Sequence, residues 1–299
     1  METKIVECVP NFSEGRRPEV VQEIAFAITS IPGVRLLDQT SDANHNRSVL
    51  TFVGEPNAVK DAAFMAISRA SELIDMEKHS GEHPRIGATD VVPFVPVSGV
   101  TTEDCVELAR SLGQEVADKL HIPVYLYEEA ATCEDRRNLA NIRRGNYEGL
   151  KQTISLPERH PDFGEPAMHP TAGATVIGAR NFLVAYNINL STSDVSIAKK
   201  IARRVRASSG GLMYVKALGI MLEDRNLAQV SMNLTNFAKT PIHVAFNMVK
   251  TEAERYGVSI VGSEIIGLIP MDALLDAARH YLRLESFSRQ QVLEARIWE

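Results

Sequence analysis

A short segment of the chain concentrates side chains that could do acid–base chemistry. Between His79 and Asp90 the sequence HSGEHPRIGATD carries two histidines, two acids and an arginine, and it has neither a helical nor a strand period. A histidine can accept a proton in one step of a reaction and donate it in the next, because its pKa lies near neutrality. This density of titratable groups in an irregular stretch predicts a catalytic loop; the alternative is a surface loop with two solvated histidines.

The motifs of several other chemistries are missing. His79 and His83 are four residues apart, as in a helical H-E-x-x-H zinc site, but Gly81 and Pro84 argue against a helix, so we predict no metal here. The segment NFSEG follows the first strand but matches neither GxxxxGK[ST] nor GxGxxG, and the chain has no esterase elbow. Phosphate-loop and serine-nucleophile enzymes are therefore not indicated.

A second polar cluster lies in the turn SDANHNR, between two predicted antiparallel strands. It brings together Asp42, His45, Asn46 and Arg47. One explanation of this turn is purely structural, because Asp and Asn side chains commonly hydrogen-bond to the backbone of their own turn. That explanation suits Asn44 better than it suits His45 and Arg47, and we take His45, Asn46 and Arg47 as candidate ligand-binding residues.

Carboxamide side chains alternate along two strands of the second half. Asn187 and Asn189 in YNINL, and Gln229, Ser231 and Asn233 in NLAQVSMNL, recur at every second position and so share one face of each strand. A buried amide needs hydrogen-bond partners, so an amide-lined face is unusual for a core. We favour a polar ligand groove over a solvated face.

Composition narrows the class of protein. The 299 residues carry 32 Lys and Arg against 38 Asp and Glu, a formal net charge of −6, so general attraction to nucleic acid is not expected. Three scattered cysteines suit neither a disulfide framework nor a thiolate metal site, and they fit a reducing cytoplasm. No apolar run approaches the roughly 20 residues of a membrane span, and the N-terminus has no signal-like segment. We expect a soluble, cytoplasmic protein.

The elements that position these residues repeat in order. The first half predicts β-α-β-β-α-β with a further α-β appended, and the second half predicts the same order of elements. Two split β-α-β units imply an α+β fold of two ferredoxin-like sandwiches. The segment VVPFVPV predicts a strand or an edge segment, because its two prolines would disturb a central ladder.

A polar segment separates the two halves. Residues 130–180 include RRGNYEGL, LPERHPDFGEP and HPTAGA, and we predict a long stretch without regular structure at a ligand cleft between two domains. The predicted subdomains are residues 1–178 and 179–299.

Taken together, these segments resemble the glutamate formimidoyltransferase family, the formiminotransferase half of formimidoyltransferase-cyclodeaminase. The resemblance covers essentially the whole chain and rests on long motifs, so it is specific. The motifs are VECVPNFSEG at 6–15, LIDMEKHSGEHPRIGATDVVPFVPV at 73–97, PDFG at 161–164, GATVIGARNFLVAYNINL at 173–190, NLAQVSMNL at 226–234 and VGSEIIGLIP at 261–270. The cyclodeaminase half is missing, which suggests a stand-alone enzyme of bacterial type.

The resemblance implies a reaction and an architecture. The reaction is transfer of a formimidoyl group from N-formimidoyl-L-glutamate to N5 of tetrahydrofolate, in histidine degradation and one-carbon metabolism. The architecture is a homodimer whose two ferredoxin-like subdomains face each other across a ligand tunnel. Tetrahydrofolate is the co-substrate, no metal is needed, and functional coupling to a separate cyclodeaminase is expected.

The resemblance also implies site residues. The catalytic histidine of the family falls on His83, in GEHPR. Ala172 stands where the animal enzymes carry Trp, and Thr40 where they carry an acid near the end of the second strand. The folate-binding stretch of the family corresponds to Gly164, Glu165, Pro166, Ala167, Met168, His169, Pro170, Thr171, Ala172 and Gly173.

Chemistry assigns compatible roles. Attack of N5 on an amidine carbon needs a base for the incoming proton and an acid for the departing nitrogen, and one histidine can serve as both. We predict that His83 shuttles this proton while Asp42 or Glu82 orients its ring. Arg47 and Arg85, with Lys216 as a further candidate, would bind the glutamate carboxylates.

Two alternatives stay open at this point. Formyl and formimidoyl groups differ only by O for NH, so the site could instead act on 5-formyltetrahydrofolate or N-formylglutamate. The chain could also be a non-catalytic folate-binding module, although the intact motif around His83 argues against that.

Overall fold

The computed structural model describes residues 3–298. The chain forms two compact units, Met1–Arg180 and Asn181–Glu299, each with its own β-sheet. The fold is therefore α+β. The subdomain boundary between residues 178 and 179 stays a prediction from the sequence.

The first unit is built on a seven-stranded mixed sheet. Its strands are β1 (Ile5–Cys8), β2 (Asn11–Phe12), β3 (Arg35–Asp42), β4 (Arg47–Gly54), β5 (Thr89–Ser98), β6 (Val124–Glu128) and β7 (Thr175–Ala179). Strand β3 pairs with β4, and both β1 and β2 lie between β4 and β5 in antiparallel register. Strands β5, β7 and β6 follow in parallel.

Three helices cover one face of this sheet. They are α1 (Pro18–Thr29), α2 (Pro56–Leu73) and α3 (Thr102–Leu120). Pro18 and Pro56 begin α1 and α2, because a first-turn proline loses no intrahelical hydrogen bond. The buried apolar faces of these helices enclose the main core together with Phe12, Phe52 and Phe94 of the strands. Cys8 is buried in the same core.

The segment VVPFVPV is part of strand β5, which confirms the first of its two predicted alternatives; the strand is central, so the second alternative, an edge segment, is wrong. Pro93 faces the gap between β1 and β2, where its carbonyl accepts a hydrogen bond from Val9. Its missing N–H therefore falls where the neighbouring ladder is interrupted. Pro96 pairs with Val6 next to a register shift and lies beyond the last residue of β5 that pairs with β7.

The segment between the halves is more regular than its polarity predicted. It contains α4 (Leu139–Ile142), α5 (Asn146–Thr153) and β7, which lies in the middle of the sheet between β5 and β6. Residues of α4 and α5 form a small second core with Tyr125, Tyr127 and Val176. The prediction of a stretch without regular structure is wrong, because the apolar run TVIGA forms a fully buried strand and apolar residues of α4 and α5 pack in a core despite their polar neighbours.

The second unit has a four-stranded antiparallel sheet in the order β11-β8-β10-β9. Its strands are β8 (Val184–Leu190), β9 (Val215–Leu222), β10 (Leu227–Leu234) and β11 (Ile260–Ile266), and its helices are α6 (Val195–Val205), α7 (Ile242–Glu254), α8 (Met271–Leu282) and α9 (Leu293–Trp298). Alternate apolar residues of β8 and β10 pack with α6 and α7 in one core. Across residues 3–298, no helix combines the length and the apolar character that crossing a membrane requires.

Helix α3 begins with a capping box formed by residues close together in the sequence. Thr101 caps this helix: its hydroxyl accepts from the Asp104 N–H at 3.1 Å, and the Asp104 carboxylate accepts from the Thr101 N–H at 2.8 Å. Thr101→Ala removes one half of this capping box and should lower the free energy of unfolding by about 1 kcal/mol. Urea titration followed by circular dichroism measures the change. Thr102→Ala is the matched control, and an equal loss in both variants would contradict the assignment of the cap.

Candidate functional site

Three loops of the first unit meet at one end of its sheet. Asn11 pairs with Val49 on one side and with Val91 on the other, so the end of β2, the start of β4 and the start of β5 are adjacent. The antiparallel ladder therefore brings together the loop after β2, the turn between β3 and β4, and the loop before β5. The segments NFSEG, SDANHNR and HSGEHPRIGATD are contiguous for this reason.

Glycines allow these loops to approach backbone to backbone. A Cβ on Gly15 would lie 2.2 Å from the Asp42 carbonyl oxygen, and one on Gly81 would lie 2.4 Å from that of His45. The Ser13 hydroxyl donates to the Gly87 carbonyl at 2.7 Å, and the Ser13 N–H donates to the Ala88 carbonyl at 2.9 Å. Any side chain larger than hydrogen at Gly15 or Gly81 would separate the loops.

These loops enclose a polar pocket. Its lining residues are Asn11, Phe12, Ser13, His45, Asn46, Arg47, His79, His83, Arg85 and Asp90. The two polar clusters found in the sequence thus form one site.

His83 lies half-buried in this pocket with both ring nitrogens available. Neither nitrogen has a hydrogen-bond partner within residues 3–298, and the ring meets that of His45 edge to face at 6.4 Å between centroids. Burial, aided by the charges of Arg47 and Arg143, lowers the pKa of His83 from 6.5 to about 3. At neutral pH the ring is therefore uncharged and can accept a proton.

A buried arginine ties the pocket together. Arg85 donates to both carboxylate oxygens of Glu148, at 2.6 and 3.0 Å, and its Nε donates to His79 Nδ1 at 3.2 Å. His79 Nε2 lies 3.1 Å from the Asn46 carbonyl oxygen. This pattern requires a neutral His79 that carries its proton on Nε2. Burial lowers the pKa of His79, which also favours the neutral ring.

Two further arginines add positive charge. The Arg143 guanidinium contacts Asp90, whose other oxygen accepts the Ile86 N–H at 2.9 Å. Arg47 donates to the Asn11 amide oxygen at 2.8 Å, and no carboxylate within residues 3–298 forms an ion pair with it. Burial, together with the nearby Arg143, lowers the pKa of Arg47. An anionic ligand would relieve this excess of positive charge.

The carboxylates predicted to orient His83 lie elsewhere. Asp42 accepts the His45 N–H at 2.8 Å and lies 3.0 Å from His45 Nδ1. The hydrogen bond from the His45 backbone lowers the Asp42 pKa. Glu82 is exposed to solvent. Asp42 thus positions His45, which in turn contacts His83, and this indirect link was not visible in the sequence.

The stretch Gly164–Gly173 flanks the pocket and does not line it. Its last residues pair with the loop before β5: the Thr171 carbonyl accepts from Met76, and the Ala172 carbonyl accepts from Ala88, both at 2.8 Å. His169 Nδ1 accepts the Ala172 N–H at 3.0 Å and so holds a turn. Ala172 is buried in the main core.

The amides of the second unit are only partly exposed. Asn187, Asn189 and Gln229 are buried, whereas Ser231 is half-buried and Asn233 is exposed. They lie on the face of the sheet away from α6 and α7. Glu264 of β11 bonds two of the buried amides, since its Oε1 accepts from Gln229 at 2.8 Å and from Asn187 at 3.3 Å, and Gln229 in turn donates to Asn189 Oδ1 at 2.8 Å.

Sequence reasoning missed three residues of these clusters. Glu148 and Arg143 lie in RRGNYEGL, within the segment that polarity alone classed as a linker. Glu264 lies in the strand VGSEIIGLI, where a single acid among apolar residues was the available signal. Within the described part of the chain, no group of three or more His, Cys, Asp or Glu side chains could hold a metal ion.

Comparison with protein families gives two matches that follow the two units. Residues 5–180 match the model described as "Formiminotransferase domain, N-terminal subdomain", and residues 185–296 match "Formiminotransferase domain".

Similar proteins extend this result over nearly the full chain. "Glutamate formimidoyltransferase" of Streptococcus pyogenes serotype M1 is 51% identical over 97% of this chain and 98% of its own length. The protein of the same name from Thermoplasma acidophilum is 53% identical over 98% of this chain and 97% of its own length. "Formimidoyltransferase-cyclodeaminase" of Gallus gallus is 49% identical over 94% of this chain, which covers 53% of that longer protein.

The charge cluster predicts the titration of His83. Proton-detected NMR should show its ring neutral down to a pKa of about 3. Arg47→Gln removes a neighbouring positive charge and should raise that pKa. Arg110→Gln, at an exposed arginine of α3 outside the pocket lining, is the control and should leave it unchanged. A wild-type pKa near 6.5 would contradict the arrangement described here.

The lowered pKa of His83 also predicts how the free energy of unfolding depends on pH. A histidine in the unfolded chain takes up a proton below 6.5, whereas folded His83 does not until about 3. Between these values the unfolded state binds more protons, so stability is lost as pH falls. His83→Gln should reduce this loss, as measured by urea titration at several pH values.

Loop packing predicts a second sensitive position. Gly81→Ala should lower the free energy of unfolding by about 1–3 kcal/mol and reduce ligand binding at the pocket, because the new methyl group meets backbone. Gly149→Ala in α5 is the matched control: its nearest atom lies 4.0 Å away, and a gain of about 0.5–1 kcal/mol is expected. Equal stability of Gly81→Ala and wild type in thermal unfolding would contradict the close approach.

Proposed function

This chain belongs to the formiminotransferase family, and we infer that it transfers the formimidoyl group of N-formimidoyl-L-glutamate to N5 of tetrahydrofolate. The observation that carries the inference is the environment of His83. An uncharged imidazole with two free nitrogens lies in a pocket with an excess of arginine, as a proton shuttle acting on an anionic substrate requires.

The proposed chemistry balances around one proton. N5 of tetrahydrofolate attacks the amidine carbon, and His83 accepts the N5 proton as the tetrahedral intermediate forms. The bond between that carbon and the glutamate nitrogen then breaks, and His83 returns the proton to the departing nitrogen. The products are 5-formimidoyltetrahydrofolate and L-glutamate, and the histidine ends in its starting state.

Substrate binding would tune the base. A pKa of about 3 makes His83 a weak base in the empty pocket. Because neighbouring positive charges help to hold that value down, a bound carboxylate of formimidoylglutamate would raise it towards neutrality. The base would thus gain strength when the substrate is in place.

Arg47 is the best-placed anchor for a substrate carboxylate. It has no acidic partner within the described residues, whereas the fork of Arg85 is occupied by Glu148. A free guanidinium can bind a carboxylate through two parallel hydrogen bonds. Arg85 would then act as a support of the loop, and Lys216, exposed on the second unit, stays a prediction.

His45 is the proposed support of His83. Asp42 holds His45, and the His45 ring contacts the His83 ring. Asp42 would therefore affect catalysis through His45 and not through a direct bond. Glu82, exposed at the rim, is a weaker candidate for the same role.

We propose that Gly164–Gly173 binds folate, as the resemblance to the family implies. Its final residues are hydrogen-bonded to the loop that bears His83, which supports a role beside the reacting atoms. Its histidine, His169, is engaged in a local turn. Asn46 holds Gly15 and Ser80 together, and so shapes the same pocket.

The finer features of the architecture belong to this proposal too. Each unit contains four strands in the order expected for a split β-α-β sandwich. These are β3-β4-β1-β5, within the seven-stranded sheet of the first unit, and β9-β10-β8-β11 in the second, and they support a ferredoxin-like assignment. The ligand tunnel, the homodimer, the cytoplasmic location, the metal-free reaction and the coupling to a separate cyclodeaminase stay predictions of the resemblance.

A coupled assay tests the transfer. Formimidoylglutamate and tetrahydrofolate are supplied together with a separate cyclodeaminase, and the absorbance of methenyltetrahydrofolate is followed. Wild type should turn over, and His83→Ala should lose roughly 10²–10⁴-fold in kcat while it still binds folate. His160→Ala, at an exposed loop histidine, is the control.

Two outcomes would overturn the proposal. Full activity of His83→Ala would remove the proton shuttle from this residue. Tight folate binding by an inactive wild type would instead favour a formyl donor or a non-catalytic module, and replacement of formimidoylglutamate by N-formylglutamate in the same assay separates these two.

A further inference from the structure

Glu264 on the sheet of the second unit holds one unused carboxylate oxygen. Its Oε1 accepts hydrogen bonds from Gln229 and Asn187. Its Oε2 has no hydrogen bond or ion pair within residues 3–298. A carboxylate in this state retains one oxygen, whose two lone pairs can accept from two ligand donors, while its orientation is already set by protein donors.

The neighbouring amides are arranged around this carboxylate. Gln229 is 1% exposed, and both N–H groups of its amide are used, one towards Glu264 and one towards Asn189 Oδ1 at 2.8 Å. That bond leaves the Asn189 amide nitrogen as a donor with no partner within the described residues. The cluster therefore offers a carboxylate acceptor beside a neutral amide donor.

The burial of these amides is unusual for one face of a sheet. On the opposite face of the same sheet, alternate residues of β8 and β10 are apolar and pack with helices. Here the positions hold amides and an acid instead, although burial of polar groups costs free energy unless each is paired. A ligand with complementary groups would complete the pairing.

We propose that Glu264, held by Gln229 and Asn187, binds the aminopyrimidinone edge of the pterin ring, with Asn189 donating to its carbonyl oxygen. This inference rests on the proposed function, which supplies a tetrahydrofolate substrate. The pterin edge presents an amino group, a ring N–H and a carbonyl oxygen in a row, so it offers two donors followed by an acceptor. A protonated amidine, as the formimidoyl group is at neutral pH, offers donors alone and would leave the Asn189 donor unpaired.

Kinetics of Glu264→Gln test the proposal. Glutamine keeps the shape and one acceptor oxygen but removes the charge, so the KM for tetrahydrofolate should rise at least about tenfold, as expected for loss of a charge-assisted hydrogen bond. The KM for formimidoylglutamate should change little. Glu254→Gln, an exposed acid at the end of α7, carries the same change of charge and should match wild type.

A ligand variant tests the same contact without any mutation. Calorimetry compares 5-formyltetrahydrofolate with an analogue whose 2-amino group is replaced by methyl. Wild type should bind the analogue at least about tenfold more weakly, and Glu264→Gln should discriminate less between the two. This arm decides the question even if Glu264→Gln folds poorly.

The outcomes separate this inference from the proposed function. Equal binding of the two ligands by wild type, or a rise only in the KM for formimidoylglutamate, would overturn the assignment of Glu264 to the pterin. A wild type that binds neither ligand and shows no turnover would contradict the proposed function itself.

Discussion

The pairing of Arg85 is the interaction on which the site of the first unit depends. Its side chain is buried, and a buried charge is tolerated only when its donors are satisfied. Glu148 satisfies two of them and His79 a third, and His79 in turn contacts the Asn46 backbone. One guanidinium therefore connects the loop before β5, the turn before β4 and helix α5.

This pairing also shapes the electrostatics. Three arginines surround the pocket, and two of them have acidic partners in Asp90 and Glu148. The remaining positive charge lies with Arg47, beside a histidine whose pKa is driven low by burial and by that charge. A protein with a net charge of −6 thus presents a locally positive site, which is how an acidic protein can select an anionic substrate.

The two units contain four strands in the same order, but their polar side chains are placed differently. In the first unit, charged side chains and imidazole rings gather where loops converge at the end of the sheet. In the second, the polar groups lie along the strands themselves, because the register of β8, β10 and β11 places Glu264 opposite Asn187 and Gln229 opposite Asn189. Strand alternation alone keeps these amides away from the apolar core.

The sequence by itself determined the local elements and the family, and it indicated His83 as the candidate for proton transfer. Strands such as Arg47–Gly54 and Leu227–Leu234, and the capping box at the start of α3, depend on neighbours within a few residues, so the local sequence is enough to specify them. Only the tertiary structure decided which groups meet across long separations. Pro93 fits a central strand because a distant ladder is interrupted, Asp42 pairs with His45 and not with His83, and Glu148 reaches Arg85 from 63 residues away. Such partners are chosen by chain packing, and no local pattern of residues records them.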